Sequence, residues 1–299
     1  MVTEHNYRTF DVAVAGGSLR VASWGEGPVI LAAHGITANH RSWPAVAARL
    51  DGYTLVAPDL RGRGGSAGLP GPFGMGAHAD DLAAVLDHLD VEKTVIAGHS
   101  MGAFVSTVMA QRHGDRLTGV VLIDGGVPLA VPQGLTTDQL LQAVIGPAMD
   151  RLAMTFETRD AYRDFWKAHP AFTDEGAWSE LVEAYVDYDL VGEEGAYRSG
   201  VAVDAIRADT EDTLVDDTVA TAFDKLAHPT TLLWAPRGLL NQTPGLYPEQ
   251  VITEMTAGRE NITPVLVDDV NHYTITMIDR GAAATAGAIR AMAEATLAI

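Results

Sequence analysis

Short apolar runs alternate with amphipathic stretches along the first 125 residues. Val12–Ala15 and Leu19–Trp24 flank Gly16-Gly17 and read as a β-hairpin. Val29–Ala33, Leu55–Pro58, Thr94–Ala97 and Leu117–Ile123 are continuous apolar segments of strand length. Between them, Trp43–Leu50, Ala77–Leu89 and the stretch Ala103–Arg112 carry helical periodicity. Uninterrupted apolar strands separated by helices imply an α/β fold. Its sheet is mostly parallel and buried by helices on both faces.

The pattern changes after Pro128. From 128 to 225 only helical stretches are expected, with many aromatic residues among them. Strand and helix alternation then resumes with Thr230–Ala235, Glu249–Ala257, Ile262–Val267 and Ala282–Leu297. The expected organisation is one core domain, 1–127 and 226–299, interrupted by a helical cap at 128–225.

One pentapeptide gives this frame chemical meaning. Gly98-His99-Ser100-Met101-Gly102 lies between an apolar strand and a helix. A sharp strand-to-helix turn needs small flanking residues and lifts the serine hydroxyl above the sheet, near the amides opening the helix. A serine nucleophile needs a base, a carboxylate to orient that base, and donors for the developing oxyanion. The candidate base is His272, which follows the last strand and so lies at the edge where open α/β sheets bind ligands. The backbone N–H groups of Ile36, just past His34-Gly35, and of Met101 are the candidate oxyanion donors.

The chain resembles the α/β-hydrolase superfamily with a cap. The resemblance rests on His34-Gly35, on the loop Asp59-Leu60-Arg61-Gly62-Arg63-Gly64-Gly65-Ser66, on Gly98-His99-Ser100-Met101-Gly102 and on Asn271-His272. It implies an eight-stranded, mostly parallel sheet and a serine hydrolase of the esterase or lactonase type. It also implies a structural role for Arg61 and the glycines of the 59–66 loop. The commonest family pattern puts an Asp after the strand read here as Thr230–Ala235, but 236–248 contains no carboxylate. Some members carry the acid at the end of the strand after the nucleophile helix, which here is Asp124. Asp124 is therefore preferred, with Asp268 or Asp269, a dyad, or an acid from the cap as alternatives. Serine in place of aspartate at position 100 separates the chain from dehalogenase-like and epoxide-hydrolase-like relatives. His34, Gly35, Trp43 and Trp166 are the candidate substrate contacts, most other cap aromatics being read as the cap's own core.

Composition narrows the partners. The formal net charge is −19, and the larger share of that charge falls in 128–225. A strongly acidic surface disfavours nucleic acid and anionic membranes and repels anionic substrates. Cysteine is absent, and no metal-ligand motif occurs. No leader-like apolar segment opens the chain, so a cytoplasmic protein without cofactor or metal is expected. The expected substrate is a small-to-medium, neutral, hydrophobic ester or lactone. Carbon–carbon bond hydrolysis, a cofactor-free perhydrolase reaction and a ligand receptor are the alternatives.

Overall fold

The computed structural model describes residues 6–129 and 134–297. The chain runs β1 (Arg8–Val14), β2 (Gly17–Gly25), β3 (Val29–Ala33), α1 (Pro44–Ala47), β4 (Thr54–Pro58), α2 (Met75–His88), β5 (Thr94–His99), α3 (Met101–Arg112) and β6 (Leu117–Ile123). There follow α4 (Thr137–Leu152), α5 (Arg159–Lys167), α6 (Glu180–Asp189), a short pair β7 (Leu190–Val191) and β8 (Arg198–Ser199), α7 (Val203–Leu214) and α8 (Thr218–Asp224). The chain closes with β9 (Thr230–Trp234), α9 (Glu249–Thr256), β10 (Ile262–Leu266), α10 (Thr274–Met277) and α11 (Asp279–Thr296).

Eight strands form one sheet in the order β1-β2-β4-β3-β5-β6-β9-β10. β1 and β2 pair antiparallel through a turn in which Gly16 has φ +87°, and β2 pairs antiparallel with β4. The other pairings are parallel. The central strands are apolar throughout because both faces are covered. Successive side chains point to opposite faces. Leu31, Val120 and Leu122 therefore join the layer under α2, α3 and α8, while Ile30, Val121 and Ile123 join the layer under α1 and α11. The chain leaves β3 toward β4 on one side and returns as β5 on the other, so the crevice between the carboxyl ends of β3 and β5 is the topological switch point.

The segment between β6 and β9 is mostly helical. Tyr162, Trp166, Phe172, Val182, Tyr185 and Val186 build a separate aromatic core there, onto which Met277 packs. Inside that layer Arg151 is held by Asp189 at 2.7 Å and by the Tyr162 hydroxyl at 2.8 Å. α8 departs from this grouping: its Val219, Ala222 and Phe223 join the sheet-side core, and it packs on α3. Residues 130–133, beside the expected start of the cap, lie outside the described residues. No helix among the described residues is long and apolar enough to cross a membrane.

The structure adds elements that periodicity did not announce. β7 and β8 are only two residues each, too short for an alternation to register. The expected helix Trp43–Leu50 shrinks to α1 with flanking turns. Trp43 is fully buried against Trp24, Val46 and Leu55 in the layer below the sheet, so it is a core side chain and not a substrate contact. Truncation there leaves a large void in a close-packed layer. Trp43→Ala is expected to cost about 3–5 kcal/mol of stability, read from urea unfolding. A loss under about 1 kcal/mol would contradict the packing role.

Candidate active site

Ser100 sits between β5 and α3 with φ +54° and ψ −121°. A side chain other than glycine rarely adopts this backbone, which costs on the order of 1–3 kcal/mol and persists only where its surroundings impose it. Here they do. A Cβ on Gly98 would stand 2.1 Å from the Gly102 carbonyl oxygen, and one on Gly102 would stand 2.0 Å from that of Ala33. A Cβ on Gly125 would lie 2.3 Å from the Ser100 carbonyl oxygen. The three glycines let β3, the turn and the end of β6 close on one another. The Ser100 N–H completes the closure by donating to the Ile123 carbonyl at 2.9 Å.

Asp124 ends β6 with φ +44° and is fully buried. Its N–H donates to the Leu233 carbonyl at 2.8 Å, and its Oδ1 accepts from the Ala235 N–H at 3.1 Å. Its Oδ2 lies 2.6 Å from His272 Nδ1. A carboxylate there holds the proton on Nδ1 and leaves Nε2 to act as acceptor. Of the alternative acids, Asp268 is exposed, and Asp269 is exposed and lies 3.3 Å from Arg237.

His272 stands on the loop between β10 and α10, and Asn271 fixes that loop. The Asn271 amide donates to the Ala171 carbonyl at 2.9 Å, while its oxygen accepts from the N–H groups of Tyr273 and Thr274, each at 3.0 Å. Because Ala171 belongs to the inserted segment, the His272 loop and that segment are tied together. His99 also holds the His272 loop, its Nε2 donating to the His272 carbonyl at 2.7 Å. Burial, and then the neighbouring His272, push the His99 pKa down to about 3, so its ring is a neutral donor.

Gly35 approaches the serine closely. A Cβ there would lie 3.6 Å from Ser100 Oγ. The Gly35 carbonyl accepts from His34 Nδ1 at 2.8 Å and from the Ala38 N–H at 3.1 Å. In a trans peptide the carbonyl and N–H point opposite ways, so this anchoring turns the Ile36 N–H to the other side of the loop. Met101 opens α3, in the first turn where N–H groups have no partner within the helix.

Ser100, His272, Gly35, Ile36 and Met101 all line one cavity with about 900 Å³ of atom-free space, its mouth included. Its walls are mainly apolar, with Phe104 and Leu129 from the sheet side and Ile145 and Leu214 from the inserted helices. Two sequence candidates besides Trp43 lie elsewhere. His34 is fully buried behind the loop, accepting from the Leu60 N–H at 2.9 Å through Nε2, so it supports Gly35 and does not line the cavity. Trp166 lines a neighbouring cavity with Arg151 and His169, because it is a core residue of the inserted helices. Among the described residues no group of three or more His, Asp or Glu is placed to hold a metal ion.

Sequence reasoning missed Arg63, Asp209 and Thr210. Arg63 and Asp209 are both fully buried, and Thr210 lines the cavity. The glycine-rich 59–66 loop was a signal for Arg63. Nothing local distinguished Asp209 from its many acidic neighbours.

A family model of the α/β-hydrolase fold matches residues 28–275. The chain belongs to the α/β-hydrolase fold family. An uncharacterised protein of Mycobacterium tuberculosis is 34% identical over 125 residues, 42% of this chain and 34% of that protein. The lipase LipV of the same species is 35% identical over 113 residues, 37% of this chain and 43% of the lipase. The matches thus span between a third and a half of these relatives' own lengths. Among solved structures, E-2-(acetamidomethylene)succinate hydrolase superposes with a TM-score of 0.76 at 21% identity, covering 97% of this chain and 98% of that one. That likeness concerns the fold.

Two buried histidines give the site a pH signature. Burial lowers the His34 pKa to about 4, and that of His99 further. Below about 6.5 the unfolded chain takes up these protons and the folded chain does not. Their contribution is therefore complete above that pH and is lost as pH falls toward 4. His34→Asn is expected to shrink the stability difference between pH 7 and pH 5 by about 2 kcal/mol in urea titrations. An unchanged difference would contradict the buried neutral state of His34.

Proposed function

We propose that this α/β hydrolase is a serine hydrolase cleaving an uncharged, hydrophobic carboxylic ester or lactone through an acyl-enzyme. The observation that carries the reading is the convergence of Ser100 and His272 on one apolar cavity, with Asp124 Oδ2 2.6 Å from His272 Nδ1. His272 Nε2 takes the Ser100 proton as Oγ attacks the carbonyl carbon. Asp124 stabilises the imidazolium that forms. The N–H groups of Ile36 and Met101 stabilise the oxyanion of the tetrahedral intermediate. The imidazolium then protonates the leaving alcohol oxygen as the carbon–oxygen bond breaks. A water deprotonated by His272 attacks the acyl-enzyme, which releases the acid and frees Ser100.

The cavity favours neutral substrates for two reasons. Its walls offer mostly carbon, and a carboxylate entering them would lose its hydration without a charged partner. The net charge of −19 adds a long-range field that repels anions. The lipase among the relatives agrees with ester chemistry.

Steady-state hydrolysis of a p-nitrophenyl ester series tests the reading. Ser100→Ala is expected to abolish turnover. Asp124→Asn is expected to lower kcat by about 10³–10⁴-fold while the protein remains folded. Near-normal turnover in Asp124→Asn would overturn the acid assignment. Failure of the unaltered protein to hydrolyse any ester or lactone, or to form a phosphonate adduct at Ser100, would overturn the function.

A further inference from the structure

Arg63 is a fully buried guanidinium in the loop between β4 and α2. Its Nε donates to the Ile36 carbonyl at 2.8 Å, and its Nη1 donates to the Arg61 carbonyl at 2.7 Å. Nη1 also lies 2.5 Å from Asp209 Oδ2, and Nη2 contacts the Met101 sulfur at 3.6 Å. One planar group therefore touches both residues proposed above as oxyanion donors, together with a carboxylate carried by α7.

Asp209 is equally committed. Its Oδ1 accepts from the Gly74 N–H at 2.7 Å, and both of its oxygens lie 3.1 Å from His78 Nε2. Around it α7 is seated on the core: the Ala202 N–H donates to the Gly62 carbonyl at 2.8 Å, and a Cβ on Gly62 would meet that of Ala205 at 2.4 Å. The next residues on the same helix, Thr210, Thr213 and Leu214, line the cavity above Ser100. The pair thus joins a wall of the cavity to the loop that carries Ile36.

The Gly35 carbonyl is fixed by His34 and Ala38, and the Ile36 carbonyl by Arg63. With both flanking peptides held, the direction of the Ile36 N–H is set. Unpairing Arg63 from Asp209 would leave a buried charge uncompensated, and the guanidinium would have to shift toward other acceptors. The geometry points to Arg63 as a positioning residue for oxyanion stabilisation, held in register by Asp209 so that the seating of α7 sets the aim of the Ile36 N–H. The inference rests on the serine-hydrolase reading above.

The test is kinetic, with a p-nitrophenyl phosphonate to count functional serines and p-nitrophenyl butyrate as substrate. In Arg63→Met and Asp209→Asn, kcat per titrated site is expected to fall by about 10–100-fold with KM within about 3-fold, since a misaimed donor weakens the transition state selectively. A trifluoromethyl ketone, which forms a tetrahedral adduct, should lose affinity in parallel with kcat. His78→Gln removes only a neighbour of Asp209 and should lower kcat per site by about 2–5-fold in the same direction. If the other two variants fail to fold, this one decides the matter. An unchanged kcat per site with fewer titratable sites would make the cluster merely structural and overturn the proposal. A raised KM with kcat unchanged would also overturn it, by making α7 a substrate grip alone. If the unaltered protein neither hydrolyses the ester nor reacts with the phosphonate, the underlying function fails and the inference falls with it.

Discussion

The site depends on how closely three backbones approach one another around Ser100. β3, the turn into α3 and the end of β6 meet with no room for a Cβ at Gly98, Gly102 or Gly125. That contact imposes a positive φ on Ser100 and brings Gly35 within reach of its side chain. A larger residue at any of the three would push apart strands that are hydrogen-bonded neighbours, so the local strain is sustained by the register of the whole sheet. The energy stored in the turn is small beside the packing that enforces it.

Charge is handled in the same way, by enclosure. Buried ionic groups form small closed sets, among them Arg61 with Asp81, Arg63 with Asp209 and His78, and Arg151 with Asp189 and Tyr162. Each bridges segments distant in sequence. Arg61 also donates to the carbonyls of Ala15 and Pro70, and the Tyr188 hydroxyl on α6 donates to Asp59 at 2.7 Å. Buried pairs of this kind add little net stability, but they penalise any arrangement that separates them. Two of them, Arg63 and His78 with Asp209 and Tyr188 with Asp59, join the helices between β6 and β9 to the core and so select one seating of those helices over the sheet.

The sheet was legible because continuous apolar runs and the glycine-flanked serine are local signals. The periodicity of Leu82, Val85 and Leu86 announced α2, and the run Leu117–Ile123 announced β6. What escaped was non-local. Trp43 and Trp166 have the composition of ligand contacts, yet each is consumed by its own core layer, a fact only three-dimensional packing decides. Arg63 and Asp209 lie far apart in sequence, and their pairing follows from where α7 lands. Asp124 was approached by elimination along the chain; its relation to His272 follows from the parallel pairings β6–β9 and β9–β10, and its relation to Ser100 from the β5–β6 pairing.

That pairing has a consequence for the remaining loop. Asp124 is carried by β6, the hydrogen-bonded neighbour of the strand that carries Ser100, so sheet hydrogen bonds join serine and carboxylate directly. The segment after β9 contains no carboxylate between 236 and 248 and puts only Leu239 and Leu246 in the cavity wall. With no carboxylate to place, it contributes wall alone. A change in that loop would therefore alter the shape of the cavity and leave Ser100 and Asp124 anchored to the sheet.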